Sequence, residues 1–136
     1  IEEIVKMLGN DGAKQAVIWL FTMSGEKSHL DHLIAKKFSK EGIVTMLGNI
    51  GAKQAMKWLF TKDGDKTYLD HLFDKEFSID NIIKMVYRKG SKGRLACLFP
   101  MIDELLGTHR LSHSYVASLC SKDTKLFDIR LKNILR

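Results

Sequence analysis

The chain repeats itself. Residues 2–22, EEIVKMLGNDGAKQAVIWLFT, return at 41–61 as EGIVTMLGNIGAKQAMKWLFT, a shift of 39 residues, and the match runs on from Leu30-Asp31-His32-Leu33 to Leu69-Asp70-His71-Leu72. A fixed period of this size constrains the fold more than any composition does, because a short unit cannot bury its apolar face except against a neighbour. A third, more diverged copy begins at Phe77-Ser78 and carries Ile82-Ile83-Lys84-Met85 and then Gly90-Ser91-Lys92 where the second has Gly51-Ala52-Lys53. A degenerate fourth opens at Leu111-Ser112 with Val116 and Leu119 on the same apolar spacing, which makes the last full repeat nearer 34 residues than 39. The single repeat domain, 1–136, thus divides into a partial repeat at 1–37, full repeats at 38–76 and 77–110, and a degenerate repeat or cap at 111–136.

Within a unit the periodicity is helical. Ile43, Val44, Met46 and Leu47 share one side of a first helix, with Ser39 and Glu41 as its N-terminal capping residues. Gly48-Asn49-Ile50-Gly51 ends it, since Gly and Asn accept the positive φ of a sharp turn. Ala52 to Thr61 forms a second helix that turns Ala55, Met56, Leu59 and Phe60 inward, and Lys62-Asp63-Gly64-Asp65 breaks it. Tyr68, Leu69, Leu72 and Phe73 lie on one face of a third, with Asp70 and Lys75 outside. No strand signal is present. The expected fold is all-α, an α-solenoid of short helical repeats.

Repetition argues against catalysis. An active site gathers different residues at one place, whereas repeats set the same residue along a line, which is the layout of a binding surface. Twenty-two Lys and Arg against 16 Asp and Glu give a net charge of +6, a field that favours a polyanion or an acidic partner. No segment has the apolar length of a membrane span, so no membrane partner is expected. The chain opens at Ile1 in mid-pattern and reads as a fragment of an array with more repeats. Cys97 and Cys120 stand apart without a CxxC, the pattern of reduced, buried thiols. Trp19 and Trp58 recur at one register and read as core. His109 and His113 sit four apart, yet no cysteine spacing completes a zinc pattern, and Asp31-His32 and Asp70-His71 are adjacent on a helix and point apart. Gly90-Ser91-Lys92-Gly93 lacks the spacing of a Walker phosphate loop. Neither cofactor nor metal is expected.

The stretch Asn49-Ile50-Gly51-Ala52-Lys53-Gln54-Ala55 is the most informative. It resembles the repeat signature of the bacterial transcription activator-like effectors and their shorter relatives, with one Gly replaced by Ala. The resemblance covers about 20 residues of each of the first two repeats, part of the third, and little after Arg110. It implies double-stranded DNA as the partner of a monomeric chain, with each repeat offering a two-residue loop to a base in the major groove. The bracing residues would be Asn10, Asn49 and Arg88, and the base-facing residues Asp11, Ile50 and Lys89. Asp11 is an acceptor that suits the cytosine amino group, Lys89 a donor that suits guanine, and Ile50 offers apolar contact alone and by resemblance accompanies adenine. Asp11 and Ile50 differ inside otherwise identical loops, as a readout position should. The sequence carries no localisation signal that can be read; the resemblance would imply an intracellular protein, in the bacterial cytoplasm or, if secreted, in a host nucleus.

Beside each loop a glycine, Gly12, Gly51 or Gly90, allows close backbone approach where the second helix begins. Lys14, Lys53 and Lys92 recur at one register with Gln15 and Gln54, and would set a positive stripe along a phosphate backbone. The 39-residue period is longer than that family's, with extra chain at Met23–Ser28 and Lys62–Thr67, which changes the pitch between loops. The alternative from another class is a protein-interaction solenoid of a bacterial effector, gripping an acidic protein partner with the same loops.

Overall fold

The computed structural model describes residues 18–47, 52–87 and 90–135, which are mostly helical. After helical residues 18–21 come a hairpin of β1 (Met23–Ser24) and β2 (Lys27–Ser28), then α1 (His29–Ala35), α2 (Lys40–Leu47) and α3 (Ala52–Leu59). A second hairpin of β3 (Lys62–Asp63) and β4 (Lys66–Thr67) leads into α4 (Tyr68–Asp74), α5 (Ile79–Val86) and α6 (Ser91–Leu98). A 3₁₀ turn over Phe99–Met101, then α7 (Ile102–Gly107), α8 (His113–Cys120) and α9 (Thr124–Leu135), complete the order.

Hydroxyl side chains start the helices at the period seen in the sequence. Ser39, Ser78 and Ser112 each accept a bond from a backbone N–H three residues on, at Gly42 (3.0 Å), Asn81 (3.1 Å) and Tyr115 (3.1 Å). Ser28 and Thr67 do the same for Asp31 (3.1 Å) and Asp70 (3.2 Å). Each bond satisfies an amide that the first helical turn leaves without a partner. The inward faces are those expected: Ile43, Met46, Ala55, Met56, Leu59, Leu69 and Leu72 are buried, and Val44, Phe60, Tyr68 and Phe73 pack partly buried against them. The same core continues through Ile82, Met85, Leu95 and Leu98 to Val116, Leu119 and Phe127.

The ends of α1 and α4 show a second recurrence. Phe38 N–H reaches back to Leu33 O (3.1 Å) and Lys37 N–H to Ile34 O (3.0 Å), and Phe77 and Glu76 repeat the pair on Leu72 (3.1 Å) and Phe73 (2.9 Å). This bonding closes a helix through a left-handed residue, and Lys37, Glu76 and Arg110 accordingly hold φ of 74°, 70° and 54°. A side chain there is strained, while glycine is not. Lys37→Gly or Glu76→Gly should therefore raise the unfolding free energy by about 0.5–1 kcal/mol in urea titrations, and a loss of that size would contradict the strain.

Three expectations are corrected. The segments at 23–28 and 62–67 are antiparallel hairpins rather than irregular loops, each closed by a two-residue turn led by Gly25 or Gly64 at φ 76°. Glycine in the first central position with positive φ is the type II′ arrangement, whose twist matches paired strands. The third unit has the 3₁₀ turn with Pro100 in place of a hairpin, which accounts for its shorter length. Asp70 and Lys75 are half-buried, not outside: Asp70 pairs with Lys36 and Lys75 with Asp103 at 2.8 Å, each joining residues from successive units. Of the two free cysteines only Cys120 is buried, and its thiol is pushed up to about 12 by burial. Cys97 takes the register of Trp58 and is exposed.

Candidate nucleic-acid interface

The corner between α5 and α6 is held from inside. Ser91, fully buried, donates its hydroxyl to Val86 O at 3.0 Å and so ties the start of one helix to the end of the other. Gly90 before it holds φ 80° without a side-chain cap, and a Cβ there would meet Arg94 Nη1 at 3.1 Å. The positive φ favours glycine at 90, and a side chain there would also press on Arg94. Arg94, buried, donates Nε–H to Cys120 O at 2.7 Å and Nη1–H to Thr124 Oγ1 at 3.3 Å, fastening α6 to the end of α8 and the start of α9. A cation suits a helix C-terminus, where carbonyls converge. Its signal in the sequence is an Arg at the register of Ala55, in an otherwise apolar pattern.

Lys53 and Lys92 each occupy the second position of a helix, α3 and α6, and neither helix has an acidic residue in its first turn. The first-turn amides there have no competing carboxylate, an arrangement that favours anions. Lys92 is exposed, as is Gln54 in α3. Asn10, Asp11, Gly12, Lys14 and Gln15, and likewise Asn49, Ile50, Gly51, Arg88 and Lys89, lie outside the described residues.

Lys36, Lys66 and Lys75 are engaged within the protein. An open cleft of about 390 Å³ is lined by Lys36, Lys66, Asp70, Phe73 and Asp74, and its lysines pair with Asp70 and Asp74. Burial pushes the Asp70 carboxyl up, but the bonds and charge of Lys36, helped by Thr67, outweigh it and hold the group below its ordinary value. The imidazoles are structural. His32 Nε2 meets Ser24 O at 2.7 Å and His71 Nε2 meets Asp63 O at 2.8 Å, so each ring donates to its own hairpin, and His113 Nε2 donates to Lys75 O at 2.8 Å. A carbonyl accepts only, which fixes the proton on that nitrogen. Among the described residues no three His, Cys, Asp or Glu groups converge on a metal position, and no helix is long and apolar enough to cross a membrane.

Trp19 and Trp58 are core residues. Trp19 stacks on His29 at 4.1 Å between ring centroids and Trp58 on Tyr68 at 4.2 Å, while Phe60 and Phe99 set their edges against these pairs at 5.4 and 5.6 Å from the indoles. His29 also approaches Trp19 O through Nδ1 at 2.8 Å. Burial holds the His29 imidazole below its ordinary value, against the pull of that carbonyl. As pH falls through about 6.5 the unfolded chain takes up a proton that the folded one resists, so stability drops on acidification. Replacing His29 by Tyr, the residue found at the equivalent position 68, should shrink the fall in Tm between about pH 7.5 and about pH 5.5; an unchanged fall would assign the acid sensitivity elsewhere.

Compared with models of protein families, with curated proteins and with solved structures, the chain matches none.

Proposed function

We propose that the chain is an α-solenoid that binds double-stranded DNA, with helix-start lysines on phosphates and one loop residue per unit against a base edge. The observation that carries this reading is the change from Asp11 to Ile50 within otherwise identical loops, Gly-Asn-x-Gly-Ala-Lys-Gln. A scaffold loop has no reason to hold every residue but one. Support comes from the recurring caps at Ser39, Ser78 and Ser112, which set successive units in one register. The acid-free starts of α3 and α6, with Lys53 and Lys92 in second position, add a place for phosphate. Asn10, Asn49 and Arg88 brace the loops; Asp11, Ile50 and Lys89 face bases. The same side chains set along a line serve binding and not catalysis.

Ile50→Asp tests the readout. The native chain and the variant each select from a pool of random duplexes, and the selected sites are compared. The carboxylate accepts from the cytosine amino group and is repelled by the acceptor edge of guanine. The preference at one position should move from adenine toward cytosine, by on the order of 1 kcal/mol, with flanking positions unchanged. Identical selected sites would refute base readout at residue 50.

A further inference from the structure

The second and third units each grip the one before with a phenylalanine edge and an aspartate, and the second adds Phe73. Phe60 sets its edge on Trp19 and His29, Phe73 meets Phe38 at 6.1 Å with Lys36 over its ring at 5.5 Å, and Asp70 pairs with Lys36. One unit later Phe99 sets its edge on Trp58 and Tyr68, with Lys75 over its ring at 5.8 Å, and Asp103 pairs with Lys75. Carried back by the 39-residue shift, these grips fall on Phe21, Ile34 and Asp31. Phe60 and Phe73 are half-buried in their contacts, whereas Phe21 and Ile34 are 44% and 52% exposed and Asp31 is exposed too. A monomeric surface seldom leaves large apolar side chains together without a use.

We infer that the face bearing Phe21, Asp31 and Ile34 is a docking surface for a further repeat unit of this chain's kind, one that offers a stacked Trp–aromatic pair, a lysine and a phenylalanine as Trp19, His29, Lys36 and Phe38 do. This rests on the solenoid reading above. Continuity with the two grips already present names the occupant: the face repeats both their chemistry and their order along the chain. A second copy docked through its far end does not fit. There Cys97 and Met101 replace Trp58 and Tyr68, and the exposed side of α9 presents Asp128, Arg130 and Lys132, so the far end has no indole to receive Phe21.

The test adds a copy of residues 1–39 ahead of Ile1 in the full chain, which keeps the period. Unfolding is followed by circular dichroism in the native and extended chains, with and without Phe21→Ala and Asp31→Asn. The extended chain should melt in one transition above the native midpoint. Phe21→Ala should lower that midpoint by roughly 3 °C or more in the extended chain, and by less than about 1 °C in the native one. Asp31→Asn should show the same contrast at smaller size. Equal effects of Phe21→Ala in both chains, or a separate low-temperature transition for the added unit, would overturn the proposal. A parallel chain carries a second copy of residues 38–76 between Glu76 and Phe77. If that insertion folds while the added unit fails to couple, the docking face is wrong and the solenoid stands; if the insertion also unfolds the chain, both fall. DNA binding is judged by its own titration.

Discussion

Trp58→Ala should destabilise the protein by about 3–5 kcal/mol, the range for removing a large buried aromatic side chain. Trp58 is 8% exposed. Its indole is stacked on Tyr68 at an interplanar angle of 9° and receives the edge of Phe99 from the next unit. The substitution therefore opens a cavity and also strips the joint between two units. Against a total stability of about 5–15 kcal/mol for a domain of this size, the loss is large. It should also be local. The chain has two tryptophans, so Trp19 becomes the sole fluorescent reporter in the variant, and it sits in the first joint with His29 and Phe60. In the native protein the circular dichroism and fluorescence transitions should coincide in urea; in Trp58→Ala they should separate, with the helical signal lost first. Coincident transitions with a loss below about 1 kcal/mol would mean that the aromatic joint does not couple the units.

Helix positions and core faces were legible in the sequence, because both depend on neighbours within one unit. Ser39 announces α2 through a hydroxyl three residues from the amide it caps, and Ile43 and Met46 announce their burial by spacing. What was hidden depends on the next unit. Asp70 reads as an outward acid until Lys36, 34 residues earlier in the chain, is brought against it. The partner of Arg94, the carbonyl of Cys120, lies 26 residues further along the chain. Cys97 reads as a small buried residue until the register it shares with Trp58 is left uncovered. The hairpins escaped because two-residue strands carry no alternation, leaving Gly25 and Gly64 as their signal. Of the candidate site, the start of α6 was legible from the shift alone: Gly90, Ser91 and Lys92 take the positions of Gly51, Ala52 and Lys53. That Gly90 and Ser91 serve the corner itself was not, since it depends on Val86 O and on Arg94.

The central claim is that Lys14, Lys53 and Lys92 form a phosphate stripe, and it is tested most directly by titrating one random-sequence duplex with the native chain and with the Lys14→Ala, Lys53→Ala, Lys92→Ala triple variant across a salt series. Each phosphate contact releases condensed counterions and adds about 0.9 to the slope of log K against log salt. A far-ultraviolet circular dichroism spectrum and melting midpoint matching those of the native chain establish that the variant folds. The account predicts weaker binding by the variant at low salt, independent of DNA sequence, and a salt slope shallower by about 3 units. Superimposable salt slopes for the two proteins, or no binding of duplex by the native chain at low salt, would contradict it.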